Sequence, residues 1–420
     1  MIPSLDSFRN FFVAVNMLQQ PLEHFIANLQ SPPSCMISDK YLAFTAQVAR
    51  KFQIPRIIFD GTSCFNLLCI HNLHNSNVLE DISDHEKFFM PGLPNQIEFT
   101  WAQLPSPFNP GSLVSHDMKK NRDRIREGEL GAYGVVINSF EELEREYVER
   151  YRKAKGEKVW CIGPVSLYNK EDLDRAQRGN KSSIDENKCL QWLNSQKPGS
   201  VVYACLGTLT DLTTPQLIEL GLGLEVSEMP FIWVIKAGKR KEEIEKWLLE
   251  DGFEERTKDR GLLIRGWAPQ LLILSHRAIG GFLTHCGWNS TRICAGAPMV
   301  AWPIFSEQFF NEKLIVQVMG IGVGVGAKVV VHLCEEDKFG VLVKREDMKT
   351  AIEKVMDKGR DGQERRERAR ELQKMANMAM EGGGSSYTNL TLLIEDIMQQ
   401  AARNQEAKTL ETFSSLNLNY

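Results

Sequence analysis

The stretch THCGWNSTRICAGAPM, Thr284–Met299, decides how this chain is read. A strand-like run, GGFLTH, ends at His285. A glycine turn follows, and Asn289, Ser290 and Thr291 can each open a helix. A strand, a tight turn and a helix N-terminus gather free backbone N–H groups and the positive end of the helix dipole at one point. That layout suits an anion such as phosphate. His285 adds a donor at the mouth, while Asn289 and Ser290 can cap the helix or reach a ligand. On its own, the stretch is equally well a capped helix carrying a structural histidine.

The flanking sequence bears on that choice. Upstream stands WAPQ (267–270), where Trp267 can stack on a planar base and Gln270 can hydrogen-bond its edge. Downstream stands WPIFSEQ (302–308), whose Glu307 and Gln308 suit the hydroxyls of a sugar. A second strand-to-turn, CLGT (205–208), offers Gly207 for close approach and Thr208 as a phosphate donor. A base, a diphosphate and a sugar each find candidate groups.

Further out, short apolar strands alternate with amphipathic helices, the pattern of an α/β protein. In the first half SCMISD (34–39), PRIIFDG (55–61), YGVVINSF (133–140) and VWCIGPVSL (159–167) read as strands. In the second half the strands are SVVYACLG, FIWVIK, GLLIRGW, GGFLTH and APMVAWP. The polar, aperiodic run after Leu167 is the best linker. The expected division is a first domain over 1–185 with its linker at 168–190, a second over 191–384, a closing helix at 385–400 and a disordered tail at 401–420.

The 420 residues are ample for two domains, and 43% hydrophobic with 25% charged is ordinary globular composition. A net charge of −4 provides no basic field for nucleic acid or an acidic membrane. The 9 cysteines are scattered without CxxC spacing, so reduced, mostly buried thiols are expected rather than a disulfide framework. There is no 18-residue apolar span and no signal-peptide pattern at MIPSLDSFRN, so a cytoplasmic protein is expected, and a monomer is the expected state. GIGVGVGAK (320–328) fits a glycine-rich dinucleotide pattern, but no helical pattern follows it, which argues against an NAD(P) oxidoreductase.

The stretch WAPQLLILSHRAIGGFLTHCGWNSTRICAGAPMVAWPIFSEQ resembles the C-terminal signature box of the plant UDP-dependent glycosyltransferases. SVVYACLGTLTDLTTPQLIELGLGLE, FFNEKLIVQV, MPGLPNQIEFT and YGVVINSFEELEREYV resemble other segments of the same family, so the resemblance runs through nearly the whole chain. It implies two Rossmann-like domains facing across a cleft, the GT-B fold. It implies transfer of glucose from UDP-glucose, with inversion, to a hydroxyl of a small lipophilic metabolite such as a flavonoid, terpenoid or hormone. Trp267 and Ala268 would meet the uracil and Gln270 the uridine. Thr208, His285, Gly287, Asn289 and Ser290 would hold the diphosphate, and Trp288 would border the sugar. Glu307 and Gln308 would bind its hydroxyls, the Gln favouring glucose. UDP-glucose is then a co-substrate, with no metal or other cofactor required.

Two departures stand out. The family box continues CGWNS-T-x-E-G, its acidic residue binding the ribose hydroxyls; here STRICAGAP follows, and Trp267 to Gln308 counts 42 residues, two short of the family length. Loss of that charge-assisted hydrogen bond costs roughly 1.5–3 kcal/mol, about ten- to a hundredfold in affinity. Arg292, standing at the gap, is expected to face solvent. The second departure is at the start. The resemblance implies an opening strand and a loop bearing the catalytic histidine, and no such Gly-His segment occurs here. Asp39 matches the aspartate that orients that histidine. The expectation is an incomplete first domain and a form that is weak or inactive in transfer; the alternative is a non-catalytic UDP-sugar binder.

Overall fold

The computed structural model describes residues 4–80, 82–83, 86–109, 119–168, 181–236, 238–291 and 293–417, with side chains described as far as 406. Strands run in chain order as β1 (Met36–Asp39), β2 (Arg56–Asp60), β3 (Lys87–Phe89), β4 (Glu98–Thr100), β5 (Gly134–Ile137), β6 (Val159–Cys161), β7 (Val201–Cys205), β8 (Phe231–Ile235), β9 (Gly261–Arg265), β10 (Ile279–Thr284), β11 (Met299–Ala301) and β12 (Gly322–Gly324). They form two parallel sheets, β1-β2-β5-β6 and β12-β11-β10-β7-β8-β9, and the antiparallel pair β3-β4. Helices alternate with them, so the α/β class expected from the sequence is the one observed.

Contacts divide the chain into two compact units. The larger comprises Met1–Phe8, Phe65–Asp117 and Ser166–Asn377; the smaller comprises Arg9–Cys64, Met118–Val165 and Met378–Tyr420. A single cut near residue 185 does not reproduce this grouping, because the segment from Phe65 packs with the second half. Within the larger unit Phe99 of β4 meets Phe310 edge-on at 5.2 Å, and Val330 N–H donates to Ala102 O at 2.8 Å.

In the smaller unit Ile57, Val136 and Trp160 form a core that Leu393 and Ile397 of the C-terminal helix close. Polar contacts fix that helix on β6 and its surroundings. Asn389 Nδ2 donates to Cys161 O at 3.1 Å, Ser386 Oγ to Gly163 O at 2.6 Å, and Lys158 Nζ pairs with Asp396 at 2.8 Å. The helix does not end near residue 400: it runs over Ser385–Asn417, because AARNQEAKTLETF holds strong helix formers and neither Gly nor Pro. The tail expected from 401 is helical through 417.

In the larger unit β7 shows why the sheet is central. Val202 and Ala204 enter one core, with Leu220, Trp233 and Ile352; Val201 and Tyr203 enter another, with Ile232, Ile273 and Phe282. Both faces are therefore covered by helices, as a parallel sheet requires. Strand order also locates a site. From β7 the chain proceeds outward through β8 and β9, then returns to β10 on the other side of β7 and proceeds through β11 and β12. The crevice between the carboxyl ends of β7 and β10 is thus the topological switch point, where open α/β sheets bind ligands.

Candidate functional site

The two loops at that switch point are built around His285. The residue follows β10 directly and is 7% exposed. A Cβ on Gly207, in the loop after β7, would lie 2.5 Å from His285 Cε1; one on Gly287 would lie 2.6 Å from Nε2. Only glycine on both sides leaves room for the ring, and Gly207 also sits at φ +79°. Burial lowers the imidazole pKa to about 4, so the ring is neutral at physiological pH, one nitrogen donating and the other accepting. Its Nδ1 is buried with no partner in the protein.

The turn itself is pinned from behind. Cys286 takes φ +64° and donates its N–H to Thr284 Oγ1 at 3.3 Å, while its carbonyl accepts from Asn311 Nδ2 at 2.9 Å. A helical turn, Trp288–Thr291, follows, with Trp288 buried and Asn289 exposed. Arg292 and the side chain of Ser290 lie outside the described residues, so the expected solvent-facing Arg292 has no counterpart here. Beyond them a short 3-10 turn, Ile293–Ala295, leads to β11, which pairs with β10 in regular parallel register from Phe282–Met299 to Thr284–Ala301.

The other sequence-selected residues occupy the same carboxyl rim. Thr208 is exposed after β7. Trp267 follows β9 and is doubly held: its N–H donates to Ser183 Oγ, and its carbonyl accepts Ser183 N–H, both at 2.8 Å. Lys236, just after β8, sets its ammonium 5.1 Å from the Trp267 ring centroid, and burial lowers its pKa. Ala268 is buried, and its carbonyl accepts the N–H of Gln270 at 2.8 Å, where the helix Gln270–Leu274 begins.

After β11, Glu307 stands half-buried at the head of the helix Gln308–Lys313. Gln308 is 2% exposed, and its Oε1 accepts the N–H groups of Ile304 at 2.9 Å and Phe305 at 3.0 Å. Its carbonyl thus closes the IFSEQ turn, leaving the amide N–H2 as its remaining polar group. Asp39 belongs to the smaller unit: it is exposed at the end of β1, and its Oδ1 accepts Tyr41 N–H at 2.8 Å.

The rim has a linear order. Across β11, β10, β7, β8 and β9 come Glu307 and Gln308, then His285, then Thr208, then Lys236, then Trp267. Four inter-strand steps of about 4.8 Å make a ridge of roughly 19 Å. Sequence reasoning missed Ser183, Lys236 and Asn311. Ser183 lies within the expected linker, 84 residues from Trp267, so no spacing joins them. Gly207 had been read as making room for a ligand; the structure gives that room first to His285.

Comparison with known proteins bears on the same residues. The UDP-glucoronosyl and UDP-glucosyl transferase family matches residues 181–360. UDP-glycosyltransferase 73C3 of Arabidopsis thaliana is 51% identical over 407 residues, 95% of this chain and 81% of that protein. Among solved structures, Glycyrrhiza uralensis UGT73P12 complexed with glycyrrhetinic acid 3-O-monoglucuronide superposes with a TM-score of 0.87 at 35% identity, over 97% of this chain and 82% of that one. Phytolacca americana UGT2 complexed with UDP-2fluoro-glucose and pterostilbene gives 0.70 at 26% identity, over 93% and 80%. With half its residues shared along four fifths of a relative's length, and with this fold, the chain belongs to the UDP-glycosyltransferase family.

Proposed function

We propose that the rim of the larger unit binds UDP-glucose lengthwise, and that the protein transfers the glucose to a hydroxyl of a small lipophilic alcohol or phenol. The observation that carries the reading is the order of groups along the sheet. Aromatic platform, anion turn and hydroxyl-binding pair succeed one another as base, diphosphate and sugar do in the donor. Solved relatives are complexed with molecules of these kinds, UDP-2fluoro-glucose and pterostilbene in one and glycyrrhetinic acid 3-O-monoglucuronide in the other.

In this reading Trp267 stacks on uracil, with Ala268 and Gln270 beside it. His285, Thr208, Gly287, Asn289 and Ser290 hold the diphosphate, Trp288 borders the sugar, and Glu307 with the Gln308 amide meets its hydroxyls. The acceptor oxygen attacks the anomeric carbon as the bond to the diphosphate oxygen breaks and UDP departs with the electron pair, inverting the centre. A neutral His285 offers the leaving group a hydrogen bond in a site already shielded from water, where such a donor is most effective. Asp39 matches the aspartate that orients a histidine base in the family; no Gly-His segment to carry that base occurs in this sequence, so the acceptor proton passes to solvent and transfer by this form is weak. The chemistry uses no metal, and the protein acts as a cytoplasmic monomer. Among the described residues no helix is long and apolar enough to cross a membrane.

The test is a thermal-shift titration with UDP followed by incubation with UDP-glucose and a phenol, with NMR of the product. Stabilisation by UDP and a β-glucoside are expected. An unchanged melting temperature at millimolar UDP overturns the donor-site assignment.

A further inference from the structure

Beside the donor rim, the larger unit contains a cleft of about 570 Å³, part of it open to solvent, that shares no residue with the donor clamp. Its walls are largely apolar and include Trp302, Phe305, Val331 and Phe339. Two polar groups in its lining are unsatisfied. Asp211 is 8% exposed and its Oδ1 has no partner in the protein; Thr213 Oγ1 is buried and likewise unpaired. A carboxylate oxygen left in an apolar wall is costly unless a donor reaches it.

The surroundings restrict what that donor can be. The other carboxylate oxygen, Oδ2, faces Lys239 Nζ at 3.4 Å. That ammonium disfavours a cationic ligand, and the Asp211 carboxylate disfavours an anionic one. The two other charged residues of the lining, Lys328 and Glu336, are of opposite sign. What remains is a neutral O–H donor on an apolar body. A hydroxyl donating to a carboxylate forms a charge-assisted bond, stronger than one between neutral groups.

We propose that this cleft is a second ligand subsite, taking a neutral apolar ring that bears a hydroxyl, with the hydroxyl donating to Asp211 Oδ1 and Thr213 Oγ1 as its second contact. Small lipophilic alcohols are also the acceptor class of the proposed reaction. That meaning rests on the reading above, whereas the binding itself does not. The subsite lets acceptor-like molecules engage the donor-binding unit away from the diphosphate.

The test is fluorine NMR of the whole protein with 4-fluorophenol, against 4-fluoroanisole, which keeps the ring and lacks the donor. Both probes are titrated with and without saturating UDP. Phenol is expected to bind at least about tenfold more tightly than anisole. Asp211→Leu should erase that preference, and Thr213→Val should reduce it. Val331→Trp, which fills the cleft and leaves the carboxylate untouched, should exclude both probes; it carries the test if Asp211→Leu does not fold. Equal binding of the two probes, or a preference that survives both Asp211→Leu and Val331→Trp, overturns the proposal. Loss of UDP binding with phenol binding intact would sink only the donor-site reading.

Discussion

The two parallel sheets end in differently furnished rims. In the smaller unit the rim is closed upon itself. Asp60 at the end of β2 pairs with Lys40 at 2.7 Å, both largely buried, and Asn138 after β5 accepts Val165 N–H at 2.9 Å. Beneath them, buried Arg56 donates to Ser38 Oγ at 3.0 Å, Thr45 Oγ1 at 2.8 Å and Gly128 O at 3.0 Å. In the larger unit His285 Nδ1, Asp211 Oδ1, Thr213 Oγ1 and Asn311 Oδ1 are buried without a protein partner. Among the described residues, no buried side-chain oxygen or nitrogen of the smaller unit is left that way. Folded proteins satisfy buried polar groups almost completely, and Ser76 Oγ and Arg240 Nε of the larger unit are unpaired as well, so the exceptions distinguish the two units.

The sharpest way to break this contrast uses one substitution in each unit. Gly207 and Gly156 both have positive φ, +79° and +86°. A Cβ on Gly207 meets the His285 ring at 2.5 Å, while one on Gly156 meets nothing within 4 Å. Gly207→Ala combines backbone strain with overpacking, about 2–5 kcal/mol together, and should lower UDP affinity a hundredfold or more by calorimetry. Gly156→Ala carries only the strain, about 1–2 kcal/mol of stability, and should leave UDP affinity unchanged. Equal effects on UDP binding would show that His285 is not the sensitive element.

The next effect in size is on pH dependence. His285 has a folded pKa of about 4 against an ordinary 6.5, because burial disfavours its charged form. Between those values the unfolded chain binds a proton that the folded chain refuses. The stability from this group is therefore complete above pH 6.5 and lost as pH falls through 4, on the order of 3 kcal/mol. Urea midpoints from pH 7.5 to 4.5 should fall more steeply for the natural chain than for His285→Gln; parallel slopes would contradict a buried neutral ring.

Much of this was legible from the sequence, for identifiable reasons. Nine of the twelve strands fall within the short apolar runs read as strands, since a sheet covered on both faces needs uninterrupted hydrophobic residues rather than alternation; β12, the glycine-rich Gly322–Gly324, was not read as one. β3 and β4, three residues each, carry too little pattern to be read. The rim residues were found because each belongs to a contiguous motif beside a strand end. Ser183, Lys236 and Asn311 were not, because their importance lies in contacts across 84 residues to Trp267, 31 residues to Trp267 and 25 residues to Cys286. The grouping of Phe65–Asp117 with the second half escaped for the same reason: aromatic packing such as Phe99 on Phe310 leaves no local trace.

Restoring what the shortened box lacks should sharpen the binding side of the comparison by a smaller amount. Replacing Arg292 with Leu-Glu-Gly returns the acidic residue and the two missing positions. One charge-assisted hydrogen bond to ribose is worth roughly 1.5–3 kcal/mol, so UDP affinity should rise about ten- to a hundredfold. UMP, which keeps the ribose, should gain similarly, and uracil should not. An equal gain for uracil would place the effect elsewhere.

The smallest effect is the most local. Ser183 holds Trp267 through a hydrogen bond in each direction, and only one of the two uses its side chain. Ser183→Ala removes the Oγ that accepts the Trp267 main-chain N–H but keeps the bond to its carbonyl, so the backbone carrying the indole gains freedom without losing its place. A hydrogen bond of this kind is worth about 1 kcal/mol, which predicts roughly a fivefold rise in the dissociation constant for UDP. The affinity for pyrophosphate, which makes no use of a base platform, should stay the same, and Ser183→Thr should restore UDP binding because it supplies an equivalent oxygen. A general weakening of the fold would instead lower both affinities together. If Ser183→Ala moves UDP and pyrophosphate in parallel, Ser183 supports the unit as a whole and does not position Trp267.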